Sequence, residues 1–133
     1  ACSESGMNYW YVALGGALGS VARYAVSLGA GRWLAAAFPW GTLIVNVAGS
    51  FAIGLLAALV TADGRPTLGT DARAFVMIGI LGGFTTFSSF SLETLNLARA
   101  GAVGAAAANA GLSLVLCLAA VWLGFAAAAM VNR

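Results

Sequence analysis

Six basic and four acidic residues are all the charge that 133 residues carry, and between them lie four apolar stretches of membrane-crossing length. They run from about Asn8 to Leu28, Trp40 to Thr61, Ala72 to Leu97 and Gly104 to Met130. A helical span needs about 20 predominantly apolar residues. Hydrocarbon leaves a spanning chain only helices or a closed barrel, because loose backbone polar groups have no water there. The chain is 62% hydrophobic and 8% charged, whereas soluble domains average about 25% charged residues. The expected fold is therefore an all-α integral membrane protein of four transmembrane helices. One domain fills residues 1–133, with residues 1–7 as an N-terminal extension. No basic leader with a cleavage site is evident, so no signal peptide is expected.

Several function classes fall away. The chain has no His, and Cys2 and Cys117 are far apart in register, one terminal and one mid-span. Neither a disulfide nor a side-chain metal-ligand set is expected from them. A net charge of +2 is too small to argue for nucleic acid. Membrane lipid is the expected surroundings.

Polar residues inside the spans are the next signal, since each is costly in a bilayer without a partner. In the first span, Tyr9, Trp10 and Tyr11 suit an interfacial aromatic belt. Gly15 and Gly19 are spaced for close helix packing. Arg23 lies one turn further on that face. It either snorkels to the interface or lends positive potential to an anion vestibule. In the second span, Thr42, Asn46 and Ser50 recur every four residues. Such a stripe is either interhelical glue or the lining of a pathway, where Asn offers N–H donors to an anion. Asn109, Ser113 and Cys117 repeat the spacing in the fourth span. The third span is interrupted from Gly82 to Ser91 by a Gly pair and five hydroxyl residues. The glycines are expected to let the chain leave helical dihedrals cheaply. The freed groups are satisfied by those hydroxyls or face a wet cavity. Phe87 and Phe90 share a face if this stretch is helical. Glu93 lies past the interruption, reaching the interface or pairing within the bundle. Two stripes and a polar interruption together argue for one shared polar track.

The track offers amide N–H, hydroxyls and aromatic edges, whose rim is positive. Only one acid lies within the spans, near an end, which argues against a proton relay or a carboxylate cation filter. The chemistry points to an anion and does not name one. Orientation is equally informative. Four spans put both termini and the second loop, marked by the turn Asp63-Gly64-Arg65-Pro66, on one side. That side holds Arg65, Arg73 and Arg133, and the other holds Arg32 and Arg99, with Arg23 if it reaches that interface. So balanced a count gives the positive-inside rule nothing to act on. A chain that inserts both ways can pair with itself as an antiparallel dimer.

Three motifs carry a resemblance. Gly83-Phe84-Thr85-Thr86-Phe87-Ser88-Ser89-Phe90-Ser91 with Glu93 resembles the GxTTFSTF signature of the Fluc (CrcB) fluoride channels. Gly41-Thr42-Leu43-Ile44-Val45-Asn46-Val47-Ala48-Gly49-Ser50 resembles their GTLxVNxxGS segment, and Gly19-Ser20-Val21-Ala22-Arg23-Tyr24 their GxxxRY pattern. The similarity runs from about Val12 to Leu123. Ser89 stands where the signature usually has Thr, and Asn109 where relatives often carry an aromatic hydroxyl. The resemblance implies a channel and not an enzyme. It implies a dual-topology homodimer in the plasma membrane, the bacterial inner membrane, with two antiparallel pores for passive, selective fluoride export. On that pattern Asn46 hydrogen-bonds fluoride, and Phe87 and Phe90 present ring edges. Ser113, with Thr42 and Ser88 or Ser89 nearby, extends the track. A sodium ion at the dimer centre is held by the backbone carbonyls of Gly82 and Thr85 from both copies. A different class, a small multidrug-type dual-topology exporter, would need an acid in the first span to couple protons, and that span has none.

Overall fold

The computed structural model describes residues 2–60 and 68–131. The Asp63–Pro66 turn, Arg65 and Arg133 lie outside the described residues. Among those described there are helices and no strand. In chain order they are α1 (Cys2–Trp33), α2 (Trp40–Val60), α3 (Thr70–Arg73), a π-helical segment (Ala74–Leu81), α4 (Gly82–Phe84), α5 (Phe87–Arg99) and α6 (Val103–Val131). Four stretches are long and apolar enough to cross a membrane: Gly6–Trp33, Trp40–Val60, Thr70–Arg99 and Val103–Val131. The first, third and fourth exceed the expected spans; the second starts at Trp40 as expected, and its expected end, Thr61, lies outside the described residues. The first gains most, continuing five residues past Leu28 so that Arg32 closes its last turn.

Local chemistry sets the boundaries. The Pro39 carbonyl accepts the first bond of α2, from Leu43 N–H at 3.2 Å, and proline's missing N–H is no loss there. The Phe38 and Trp40 rings meet at this corner, centroids 4.8 Å apart and tilted by 52°. After α5, Gly101 takes φ 81°, a left-handed dihedral that glycine adopts without steric penalty. Gly101 N–H bonds Ala98 C=O at 3.1 Å, and Ala102 N–H bonds Leu97 C=O at 2.9 Å. These two bonds form a Schellman cap, which turns the chain directly into α6.

Small residues bring the helices together, as they must where lipid removes the hydrophobic drive to pack. α1 lies against the π segment and α4, and α2 lies against α6. A Cβ on Gly19 would meet the Ile80 carbonyl, and one on Gly54 the Val121 carbonyl. Most large apolar side chains, Trp10, Trp33 and Trp122 among them, face outward. Val45 and Asn109 are the largest fully buried side chains.

The Gly82–Gly83 expectation needs correcting. Both glycines are helical, and Gly82 has φ −63° and ψ −37°. The extended residues are the next two: Thr85 (φ −86°, ψ 157°) and Thr86 (φ −152°, ψ 121°). β-Branched residues favour that region. Gly83 serves close approach instead: a Cβ there would lie 2.6 Å from the Gly16 carbonyl. Ser88 to Ser91, read as part of the interruption, are already in α5.

Candidate functional site

The i to i−4 ladder runs through Thr85 N–H and fails from Thr86, whose backbone groups must find new partners. Thr85 N–H and Oγ1–H both donate to Leu81 C=O, at 3.0 and 2.9 Å. Thr86 is held by Asn46 of α2, whose side-chain amide pairs with it in both directions. Thr86 N–H donates to Asn46 Oδ1 at 2.8 Å, and Asn46 Nδ2–H donates to Thr86 C=O at 2.9 Å. Thr86 also caps α5, its Oγ1 accepting from Ser89 N–H at 3.2 Å. Its hydroxyl touches Ser88 Oγ at 3.3 Å and donates to Ser89 Oγ at 3.2 Å. Arg23 Nε–H reaches across from α1 to Gly83 C=O at 3.1 Å.

Beside this interruption lies a cavity of about 570 Å³. Its wall includes Asn46, Thr85, Thr86, Phe87, Phe90 and Ser113, together with Gly82, Ser50 and Cys117. The Phe87 and Phe90 rings are 5.4 Å apart and tilted by 52°, and Phe87 is 79% exposed. Ser113 is buried, and its Oγ has no partner among the described residues. Among the described residues no acidic or basic side chain lines the cavity. Most of the wall is apolar, with Ile53, Met77, Leu81 and Leu114 on it, and its polar side-chain groups are hydroxyl, amide and thiol, so any anion there would meet a few neutral donors and not a full opposite charge.

A second polar cluster lies nearer the other end of α5. Thr42 Oγ1–H donates to Glu93 Oε1 at 2.8 Å. Asn109 Nδ2–H donates to Thr94 Oγ1 at 2.9 Å, and Thr94 Oγ1–H to Phe90 C=O at 2.8 Å. Glu93 Oε2 and Asn109 Oδ1 are buried and find no partner among the described residues. Glu93 also borders a smaller cavity of about 370 Å³ with Asn96, Phe38 and Pro39.

The residues singled out from sequence thus divide. Asn46, Phe87, Phe90, Ser113, Gly82 and Thr85 meet at one cavity. Thr42, Glu93 and Asn109 belong to the second cluster, while Ser88 and Ser89 are tied to Thr86. Arg23 sits on the backbone of α4. Thr86 and Thr94 were not singled out. Thr86 lies within the motif, but its role comes from Asn46 on another helix, and Thr94 bears no spacing signal. The π segment was also unforeseen: apolar side chains at π-helical and α-helical spacing look alike over eight residues.

Comparison with known proteins places these residues in context. Residues 10–125 match the family described as CrcB-like protein, Camphor Resistance (CrcB). A protein from Opitutus terrae, named fluoride-specific ion channel FluC, is 59% identical over 93% of this chain and 94% of its own length. Proteins of the same name from Methylocella silvestris and Paramagnetospirillum magneticum are 50% and 53% identical. Each match covers 96% of this chain, and 97% and 99% of the respective relative.

Proposed function

This chain belongs to the CrcB family, and from that premise we propose that it is a fluoride channel through which fluoride leaves the cell passively. The observation that carries the reading is the cavity beside Thr85–Thr86, mostly apolar, on which the few polar groups include the Asn46 amide and the Ser113 hydroxyl. Fluoride is small and accepts hydrogen bonds strongly, so the Asn46 N–H left over from Thr86, the Ser113 hydroxyl and the rims of Phe87 and Phe90 are suited to replace its water. A multidrug-type exporter would want an acid on that wall, and the described residues of the wall include none.

We read Thr70–Arg99 as one membrane span broken at Thr85–Thr86. Such a break is tolerable at membrane depth because Asn46, Arg23 and the Thr86 hydroxyl satisfy the groups it frees. The exposed Phe87 ring beside the break supports a second copy covering this face. The balanced arginines support its opposite orientation, with two pores per dimer in the bacterial inner membrane.

A central sodium ion fits the same break. Gly82 and Thr85 carbonyls would ordinarily accept from Thr86 and Ser89 N–H, and both donors are engaged elsewhere. Hard cations take oxygen ligands, so these two carbonyls from each copy would hold it. When bound, it supplies positive charge that offsets the cost of anions passing nearby.

The deciding experiment uses liposomes containing this purified protein alone, with efflux followed by ion-selective electrodes. Fluoride is expected to leave rapidly and chloride to remain; equal rates for both would overturn the reading. Topology has its own expected outcome. Two Lys added beside Arg65 should bias insertion one way, and two beside Arg99 the other. Each variant alone should be inactive and the co-expressed pair active. Full activity of one variant alone, with a single orientation shown by cysteine labelling, would exclude the antiparallel dimer.

A further inference from the structure

The interruption frees four carbonyls, and among the described residues only one of them is taken by a side chain. In an unbroken helix Gly82, Gly83, Phe84 and Thr85 C=O would accept from Thr86, Phe87, Ser88 and Ser89 N–H. Thr86 N–H goes to Asn46 and Ser89 N–H to Thr86 Oγ1, while Gly83 C=O receives Arg23 Nε–H. Arg23 is placed to do this by its helix. It lies two turns beyond Gly16, on the face where α1 backbone nearly touches Gly83. Helical side chains lean toward the N-terminus, so Arg23 leans back toward that contact. The bond uses the inner nitrogen of the guanidinium. That is not how a snorkelling arginine, with its head in water, is held.

Resting on the sodium reading above, we propose that Arg23 is a positioning residue for the cation: by holding the Gly83 carbonyl it keeps the helix open and leaves the Gly82 and Thr85 carbonyls free to face a small monovalent cation. Without the Nε–H, Gly83 C=O has no partner at membrane depth. The nearest donor along the chain is Phe87 N–H. Taking it closes the helix, and closing the helix returns Thr86 N–H to Gly82 C=O, which withdraws a cation ligand. The charge of Arg23 acts in the opposite sense, since a nearby positive group repels a cation.

Donor and charge can be separated by two substitutions. Lys keeps the charge but has a methylene where Arg23 has its Nε–H. Gln drops the charge but carries an N–H at the same position along the side chain. Thermal denaturation of the purified protein is followed while sodium replaces N-methylglucamine at constant ionic strength. A ligand that binds the folded state raises the midpoint saturably. Arg23→Lys is expected to raise the half-saturating sodium concentration by about tenfold, and Arg23→Gln to leave it within about threefold of wild type or lower it. A purely structural role would lower the midpoint equally at every sodium concentration and leave half-saturation unchanged in both variants, which overturns the proposal. Weakened sodium binding in Arg23→Gln overturns it too, even if Arg23→Lys cannot be purified folded. A wild-type midpoint insensitive to sodium would instead remove the sodium reading itself, and this proposal with it.

Discussion

Asn46→Asp is expected to abolish fluoride efflux and to destabilise the protein, the largest effect of any single polar substitution here. The new carboxylate oxygen takes the place of the Nδ2–H that donates to Thr86 C=O at 2.9 Å, so two acceptors face one another. The added charge also opposes the anion. Two like charges about 4 Å apart at an effective dielectric of about 20 repel by about 4 kcal/mol, which slows passage roughly a thousandfold. Asn46→Ala separates the two effects. It removes both bonds to Thr86 without adding charge, and each buried group left unpaired costs about 1–3 kcal/mol. Its thermal midpoint should fall clearly. Phe87→Ile removes a positive ring rim but no hydrogen bond, so flux should fall while the midpoint stays near wild type. Efflux from liposomes and denaturation in detergent, measured on all three, check this. Near-normal flux in Asn46→Asp would show that the cavity is not the path.

Gly54→Ala is expected to damage the bundle severely, and Gly29→Ala to be nearly harmless. The chemistry is the same methyl group in both. At Gly54 it would run into the Val121 carbonyl, and at Gly29 it meets nothing within 4 Å. A backbone carbonyl cannot swing aside as a side chain can, so α2 and α6 must separate. Overpacking typically costs about 1–3 kcal/mol, occasionally more, and here the neighbouring Gly124 contact with Phe51 C=O is lost as well. Gly29→Ala should instead gain up to about 1 kcal/mol of helix propensity. Denaturant titrations of the two variants side by side would test this; equal loss in both would mean that the α2–α6 approach is not limiting.

The polar stripe on α2 shows how far the residues alone reach. Its spacing marks Thr42, Asn46 and Ser50 as one face of one helix, and that face does turn inward. Its partners are not legible, because they come from distant parts of the chain. Thr42 meets Glu93, and Asn46 meets Thr86. The stripe on α6 divides likewise, Asn109 toward Thr94 and Ser113 toward the cavity. A period of four residues says which side chains share a face, not which residue stands opposite each of them.

What the sequence by itself determined follows from terms that act residue by residue. The bilayer penalises charge and unpaired backbone locally, so hydropathy locates the four helices and the turn residues separate them. The tertiary structure decided the rest. Gly83 is small because α1 passes against it, not because the chain bends there. The extended residues are Thr85 and Thr86 because Asn46, from another helix, supplies the hydrogen bonds that make leaving the helix tolerable. Arg23, legible only as a charge near a membrane end, proves to be a backbone partner because Gly83 C=O is within its reach. Each of these outcomes depends on a group brought near by packing, and a buried donor or acceptor takes whichever partner the packing presents.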